Sequence, residues 1–475
     1  MKVYCIVISI HLNLPRGSQI FNMIKKYKSN KIYYQSTIAL AGPVVISQLG
    51  HTLVQTLDTV IIGHYAGTIS LAAVSLVHSV FMVVLVIGLG VAYGLTPLIA
   101  QENGKSNFKE CAELLSNSLW LNVAAAIVLF LAVYYGSMFA MQHADQDPQV
   151  VETAKPYLLI LSLSILPLMI FQTFKQFAEG LGFTKQAMSI TIWGNVLNVI
   201  IAVILVKGMF GIEPMGVQGV GIATLIDRVL MMLVMMWYVL RSENFRVYLH
   251  HFSVKFIDFS KIAKVVKIGL PVAMQYVFEI GAFAVAALMA GHIGAIEQAA
   301  HQTAITLAAM TYMMAGGIAS AATIKVGNSF GNQNYKRLQK FALASYHLVI
   351  IFMMFFAVIF TLFNQSLPYL ITNDINVVAL AAQLLIIAAL FQLFDGTQVV
   401  GLGTLRGMGD VNIPTFITFI AYWLIGLPVA YVFGIYFNGG VKGIWYGLTL
   451  GLLTSSVLLY LRFRYIMNKV LKNNL

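Results

Sequence analysis

Charge is scarce in this sequence, and the scarcity decides its class. Asp, Glu, Lys and Arg make up 10% of 475 residues, against 59% hydrophobic residues. A soluble domain is nearer a quarter charged, so a soluble fold is excluded. Cysteine is almost absent. Cys5 and Cys111 lack metal-ligand spacing, and both are expected on the cytoplasmic side, where a structural disulfide is not. No complete phosphate-binding loop, no His-Glu-x-x-His pair and no Cys-x-x-Cys occurs, so direct ATP drive is unsupported. Low-complexity tracts are missing too, and the connecting loops are too short to hold a sizeable soluble domain.

What is present is apolar sequence in long runs. A helical span needs about 20 such residues. About twelve runs qualify: 36–63, 69–97, 113–137, 156–180, 186–208, 216–241, 262–290, 296–325, 341–364, 376–400, 411–435 and 441–465. A β-barrel would show short alternating segments instead. The expected fold is an all-α polytopic membrane protein. Residues 1–35 are read as a cytoplasmic segment, 36–241 as a first six-helix bundle, 242–261 as a connecting loop, 262–465 as a second bundle and 466–475 as a tail.

The net charge of +12 follows the loops. Basic residues gather before the first run, around 242–267, after 325 and at the C-terminal end, while the opposite loops hold Lys155, Lys207 and Lys442. The positive-inside rule then places both termini and the middle loop in the cytoplasm, in a bacterial inner membrane. The excess reads as topology plus attraction to anionic lipid heads, not as nucleic-acid binding. The stretch Val3–Leu14 is too short to span and lacks a clear cleavage site. Met23-Ile24-Lys25-Lys26 reads as the opening of an ordinary cytoplasmic leader, with an extended start before it.

The second half repeats the first at an offset of about 227 residues. Gly63-His64-Tyr65-Ala66-Gly67 answers Gly291-His292-Ile293-Gly294-Ala295, and Gly42-Pro43 answers Gly269-Leu270-Pro271. Gly104-Lys105-Ser106-Asn107 answers Gly331-Asn332-Gln333-Asn334. Glu179-Gly180-Leu181-Gly182 answers Arg406-Gly407-Met408-Gly409, and Gly216-Val217-Gln218-Gly219 answers Gly440-Val441-Lys442-Gly443. Six spans per half make the copies parallel repeats about an axis along the membrane normal, with a central cleft between them. The connection 242–261 is polar, basic and long enough to follow a rocking motion.

Three carboxylates stand alone inside uncharged runs. Asp58 divides 32–57 from 59–101, Glu279 divides 268–278 from 280–296, and Asp395 divides 375–394 from 396–405. A charge at bilayer depth costs roughly 2.5–3.5 kcal/mol on insertion scales, and such residues mark ion or substrate paths. Asp58 shares one face with Gln48, His51 and Gln55, within an arc of about 80° at 100° per residue. Glu279 has Gln275 one turn away, with Phe278 and Phe283 nearby; such a carboxyl can exchange a proton or hold a dehydrated monovalent cation. Asp395 lies among Gln392, Thr397 and Gln398, with Gly396, Gly401 and Gly403 allowing close helix packing. Lys175 and Glu179 are read as an i,i+4 pair, Asp227-Arg228 as a structural network, and Asn195, Asn198, His301 and Gln302 as interhelical bonds.

At these residues the chain resembles the multidrug and toxic compound extrusion (MATE) family, in its NorM-like branch. The matching stretches are Asp58-Thr59-Val60-Ile61-Ile62-Gly63, Phe278-Glu279 after Gly269-Leu270-Pro271, Leu390-Phe391-Gln392-Leu393-Phe394-Asp395 through Leu405-Arg406-Gly407, and Ile420-Ala421-Tyr422-Trp423 with Gly426-Leu427-Pro428. The likeness covers about 36–465. It implies a twelve-helix antiporter, not an enzyme, that expels organic cations in exchange for Na⁺ or H⁺ and needs no other cofactor. It also implies that Glu279 and Asp395 couple the ion in the C-terminal lobe, where Na⁺ can bind, and that Asp58 acts in the N-terminal lobe. Gln275, Gln392 and Gln398, with Gln48, His51 and Gln55, are the candidate neutral neighbours. A monomer in contact with membrane lipids is expected. The rival readings are a lipid or lipid-linked oligosaccharide flippase of the same superfamily and, less well supported, a membrane-embedded enzyme.

Overall fold

Twelve helices in the computed structural model are long and apolar enough to cross a bilayer. The structure describes residues 17–143, 147–255 and 257–472, and no strand occurs among them. The first lobe holds α1 (Lys31–Tyr65), α2 (Gly67–Gly104), α3 (Phe108–His143), α4 (Pro148–Gly180), α5 (Thr184–Lys207) and α6 (Gly216–Arg241). The second holds α7 (Phe259–Ile293), α8 (Ala295–Gly331), α9 (Tyr335–Leu362), α10 (Ile375–Gly407), α11 (Asn412–Tyr436) and α12 (Gly440–Lys472). Each expected apolar run falls on one of these helices. Most helices overrun their runs at one end or both because the hydrogen-bond ladder continues into polar residues: α12 passes the expected end at 465 and reaches Lys472. The helix containing α1 already begins at Gly17 and includes Met23. The apolar stretch Val3–Leu14, Cys5 and the last three residues lie outside the described residues.

Breaks in the helices have local causes. In α4 the ladder is interrupted at Ser164, and Pro167 has no N–H to give Leu163. In α11 Pro428 removes another rung, and the helix widens into i→i+5 turns over Ile420–Gly426 and Val432–Tyr436. α2 is interrupted at Gly94, where a Cβ would lie 2.6 Å from the backbone nitrogen of Gly269 on α7.

The repeat extends to backbone detail. Ser106 and Gln333, equivalent in the two copies, both take a left-handed conformation, with φ of 58° and 54°. The next residues, Asn107 and Asn334, cap α3 and α9 alike, each Oδ1 accepting from the backbone N–H of Glu110 or Arg337. Such agreement in unusual φ and cap chemistry identifies the halves as copies of one structural unit.

The lobes meet through the symmetric helix pairs α1 on α8 and α7 on α2, and through α2 on α8 between them. Glycines bring the backbones together. Gly317 packs on Val45 and Gly90 on Ala273, while a Cβ at Gly104 would overlap the Asn328 carbonyl and one at Gly331 the Gln101 carbonyl. Gln101 also donates from Nε2 to the Gly407 carbonyl at 2.8 Å. These contacts lie in the halves of the helices nearest Lys31 and Lys472. Twelve spans put both of those ends on one face of the bundle, here called the terminal face, and the lobes are locked along it.

The connection between lobes is not the free tether its polar composition suggests. Phe245 is fully buried beside Phe177, Phe183 and Tyr238. Tyr248 donates to Asn103 at 2.8 Å, and Trp120 on α3 donates to the Val254 carbonyl at 3.0 Å. At the start of α7, Lys261 pairs with Glu110 and Glu113 of α3, and Lys264 with Glu110. A few aromatic anchors within a polar stretch are enough to hold it against the first lobe.

Candidate functional site

Between the lobes, on the inner side of the lock, lies a cavity of about 400 Å³ lined from α1, α2 and α4 on one wall and α7, α8 and α10 on the other. Glu279 and Asp395 both line it, 4% and 3% exposed. α7 supplies the first and α10 the second. Glu279 Oε2 accepts from the Tyr312 hydroxyl of α8 at 3.3 Å. Tyr422, carried by the widened turn of α11, exchanges hydrogen bonds with the amide of Gln398 at 2.9 and 3.2 Å. Asp395 Oδ1 is buried without a hydrogen-bond partner, as are both amide atoms of Gln392. Phe283 closes the apolar side, its ring 5.9 Å from Tyr422 and 6.1 Å from Phe391. Small residues seat α10 against α9: a Cβ at Gly396 would lie 2.6 Å from Met353, and one at Gly401 3.0 Å from the Tyr346 hydroxyl.

Two buried carboxylates and the Tyr312 phenol form a hard, all-oxygen donor set, while Gln392 and Gln398 do not line the cavity. It suits a dehydrated monovalent cation or a shared proton. Among the described residues no three of His, Cys, Asp and Glu converge as metal ligands.

Asp58 belongs to a different place. Its electrostatic neighbours are Asp227 and Arg228 of α6. Arg228 donates to Ser164 Oγ at 2.6 Å and lies 5.4 Å from the centroid of Phe81. Asp227 fits against α5 because Gly194 leaves room for its Oδ1. Close by, His78 Nε2 and the Tyr157 hydroxyl are hydrogen-bonded at 2.9 Å. The Oδ1 atoms of Asp58 and Asp227 have no partner.

A MatE family model matches residues 43–204 and again 271–432. The chain belongs to the MatE family. The two matches begin 228 residues apart, and each covers the first five helices of one repeat. The multidrug resistance protein MdtK of Yersinia pseudotuberculosis serotype O:1b (strain IP 31758) is 32% identical over 436 residues, 91% of this chain and 95% of that relative. MdtK of Yersinia enterocolitica serotype O:8 / biotype 1B is equally similar, at 32% over the same shares. Solved structures share the fold at lower identity. The eukaryotic MATE transporter AtDTX14 matches with a TM-score of 0.83 at 19% identity, over 94% of this chain and 100% of that one. A MOP superfamily transporter from Pyrococcus furiosus Vc1 (DSM3638), whose binding pocket is described as reversed in polarity with a different function suggested, matches at 0.80 and 21%, over 92% and 96%. This MatE chain is therefore an integral membrane transporter and not an enzyme.

Within the MatE cleft, the structure separates residues that the sequence groups together. Gln48 lines the cavity, whereas Gln55 is exposed and Asp58 faces α6. The shared arc fixes direction but not depth, and ten residues of helix climb about 15 Å, past different neighbours. Gln275 also lines the cavity, but its amide is engaged with Thr415 at 3.0 Å, the Val411 carbonyl at 3.3 Å and Arg406 at 3.2 Å. Of the expected interhelical bonds, Asn198 reaches Thr224 at 3.4 Å. Asn195 Nδ2 and His301 Nδ1 have no partner, and Gln302 is exposed.

Sequence reasoning missed the cavity's floor, towards the terminal face. Lys175, Glu179 and Arg406 line it together with Tyr93 and Tyr276. A signal was there to be read: Glu179 and Arg406 hold equivalent places in one of the repeated segments, with opposite charge. Tyr312 carried no such mark, and Tyr422 was marked only as part of the family-like stretch Ile420-Ala421-Tyr422-Trp423.

Proposed function

We infer that this transporter is a cation-coupled antiporter that exports organic, mainly cationic, drugs or metabolites, with Na⁺ or H⁺ as the coupling ion. The carrying observation is the buried Glu279–Asp395 pair in the inter-lobe cavity, with Asp395 Oδ1 unpartnered. A cationic cargo and a small cation compete for these carboxylates. When an ion or proton neutralises them, a cationic cargo loses its attraction and leaves. Such coupling is a difference of affinities and acts in both directions.

Alternating access completes the cycle: the lobes part along the terminal face, where glycine contacts now hold them, and close elsewhere. Asp58 with Asp227 and Arg228 acts separately in the first lobe. One chain builds the whole cleft, so a monomer suffices. The relatives named multidrug resistance proteins support drug export as the direction of flux. A lipid-linked anionic cargo is the second reading, and Lys175 and Arg406 in the cavity are what favour it. The acids at mid-depth weigh against it.

The test is efflux of ethidium from vesicles under a Na⁺ gradient or a pH gradient, applied separately. Flux driven by one of them supports antiport. No flux under either sinks it, and export of a lipid-linked anion in its place would support the second reading.

A further inference from the structure

The two repeats treat one corner of the terminal face in opposite ways. In the first lobe the start of α3 carries Glu110 and Glu113, which pair with Lys261 and Lys264 of α7. In the second lobe α9 packs on α1 as α3 packs on α7. The caps Asn107 and Asn334 fix the register, so Glu110 corresponds to Arg337 and Glu113 to Lys340. At the same offset Lys261 and Lys264 correspond to Tyr34 and Thr37 of α1. Both acids are replaced by bases, and neither facing residue is an acid.

The result is a cluster of cations without counter-charge. The Lys325 ammonium, from the last turns of α8, and the Arg337 guanidinium each lie 5.5 Å from the centroid of the Phe341 ring. The charged neighbour of Lys325 is thus Arg337, another cation. The Lys340 ammonium lies 5.3 Å from the Tyr33 ring, which meets Phe341 edge-on with centroids 4.8 Å apart. Among the described residues none of these three cations forms an ion pair. The corner's own sequence supplies no acid: residues 1–57 and 298–373 contain no Asp or Glu. Asp410, the acid at the terminal end of α10, is held by Arg462 at 2.8 Å. Contact with two rings offsets only part of the repulsion among like charges, so an anion from outside the chain is favoured.

The surroundings say where that anion comes from. Helix ends on the terminal face lie at the depth of phospholipid headgroups. Deeper along the face of α9 that carries Lys340, at helical spacing, His347, Ile351 and Met354 are exposed. The Tyr34 hydroxyl and His347 Nδ1 are hydrogen-bonded at 2.8 Å, and one turn beyond Tyr34 on α1 Ile38 is exposed as well. Cations at the interface thus continue into an apolar strip, which fits a lipid and not a free phosphate.

We propose that Lys325, Arg337 and Lys340 bind the headgroup phosphate of an anionic phospholipid, whose acyl chains lie along Ile38, Ile351 and Met354. The lipid does for α1 and α9 what Glu110 does for α7 and α3, supplying the negative charge that joins the two lobes at this face. Phosphate takes parallel charge-assisted bonds from arginine and pairs with lysine as a point charge. A zwitterionic headgroup also brings an ammonium, which the three cations repel. The site lies outside the inter-lobe cavity and depends on neither the cargo nor the coupling ion.

The experiment is native mass spectrometry of the purified transporter in detergent, titrated with phosphatidylglycerol or with phosphatidylcholine of the same chains. The first phosphatidylglycerol should bind on the order of tenfold tighter than phosphatidylcholine. Joint Arg337→Gln and Lys340→Gln substitution should remove that preference, Lys340→Arg should retain it, and Lys255→Gln, in the connecting loop, should change it less than about twofold. In the unsubstituted protein, phosphatidylglycerol should raise Tm, and glycerol 3-phosphate at the same concentration should neither raise Tm nor displace the lipid. That readout needs no variant to fold. Equal affinity for the two lipids, or a loss in the double variant no larger than in Lys255→Gln, would overturn the site. Displacement of the lipid by glycerol 3-phosphate would make it a free-phosphate site and overturn the lipid assignment.

Discussion

Tyr312 donates its hydroxyl to Glu279 at 3.3 Å, while no comparable donor reaches Asp395 Oδ1. The two carboxylates of one cavity are therefore held differently, one steadied by a phenol from α8 and the other left with an open acceptor. An arriving ion or proton meets a pair with one fixed member and one free.

Removing the phenol should weaken that arrangement. Tyr312→Phe keeps the ring and deletes the donor, and hydrogen bonds to charged groups contribute about 1.5–3 kcal/mol. The bond here is long, so the lower end applies: an approximately tenfold loss of apparent affinity for the coupling ion. Ethidium efflux against ion concentration reads this as a shifted midpoint. An unchanged midpoint would mean that the phenol takes no part.

The glycine lock on the terminal face makes a second prediction. Gly104→Val places a side chain against the Asn328 carbonyl, and overpacking of this kind costs roughly 1–3 kcal/mol. The locked arrangement loses population to one with the lobes parted. Ser329, buried beside the lock, is the reporter: a cysteine there should be alkylated several-fold faster by a polar maleimide in the Gly104→Val background. An equal or slower rate would show that the lock does not part there.

Much of this architecture could be read from residues alone, for identifiable reasons. Twelve apolar runs, a repeat carried by glycine-rich turns and three lone acids are local facts, and each keeps its meaning without a neighbour. Gln55 shows the limit: periodicity places a side chain on a face and does not say which helix stands opposite it. Lys175 and Glu179 looked like an ordinary i,i+4 pair until α4 brought them to the cavity floor. Tyr312 is one of 22 tyrosines, and only packing against Glu279 singles it out. The connecting loop misled because composition averages over Phe245 and Trp120's partner Val254, the residues that anchor it.

The cluster in the first lobe yields a stability test. Arg228→Gln removes the bond to Ser164 and the cation beside Asp58 and Asp227. A loss of about 1–3 kcal/mol is expected, read as a lower Tm in detergent. Adding Asp227→Asn removes a charge left behind, so the double variant should recover part of the loss, giving a coupling the double-mutant cycle can measure. Strict additivity would mean that the two side chains do not interact.

The Lys264–Glu110 ion pair between α7 and α3 should matter less. Lys261 and Glu110 are largely buried while Lys264 is exposed, and exposed pairs contribute about 0.2–1 kcal/mol each, screened by salt. Lys264→Ala should therefore shift Tm only slightly, and less still at high salt. A shift of many degrees that persists in high salt would give the connection a larger share of the stability than its geometry suggests.

The most direct measurement is ion-driven ethidium efflux from vesicles carrying Glu279→Gln or Asp395→Asn protein, with folding checked by thermal unfolding. Each substitution keeps shape and removes one ionisable group, so each should abolish the gradient-dependent component while leaving the protein folded. Wild-type efflux from either variant would contradict the assignment of Glu279 and Asp395 as the coupling pair.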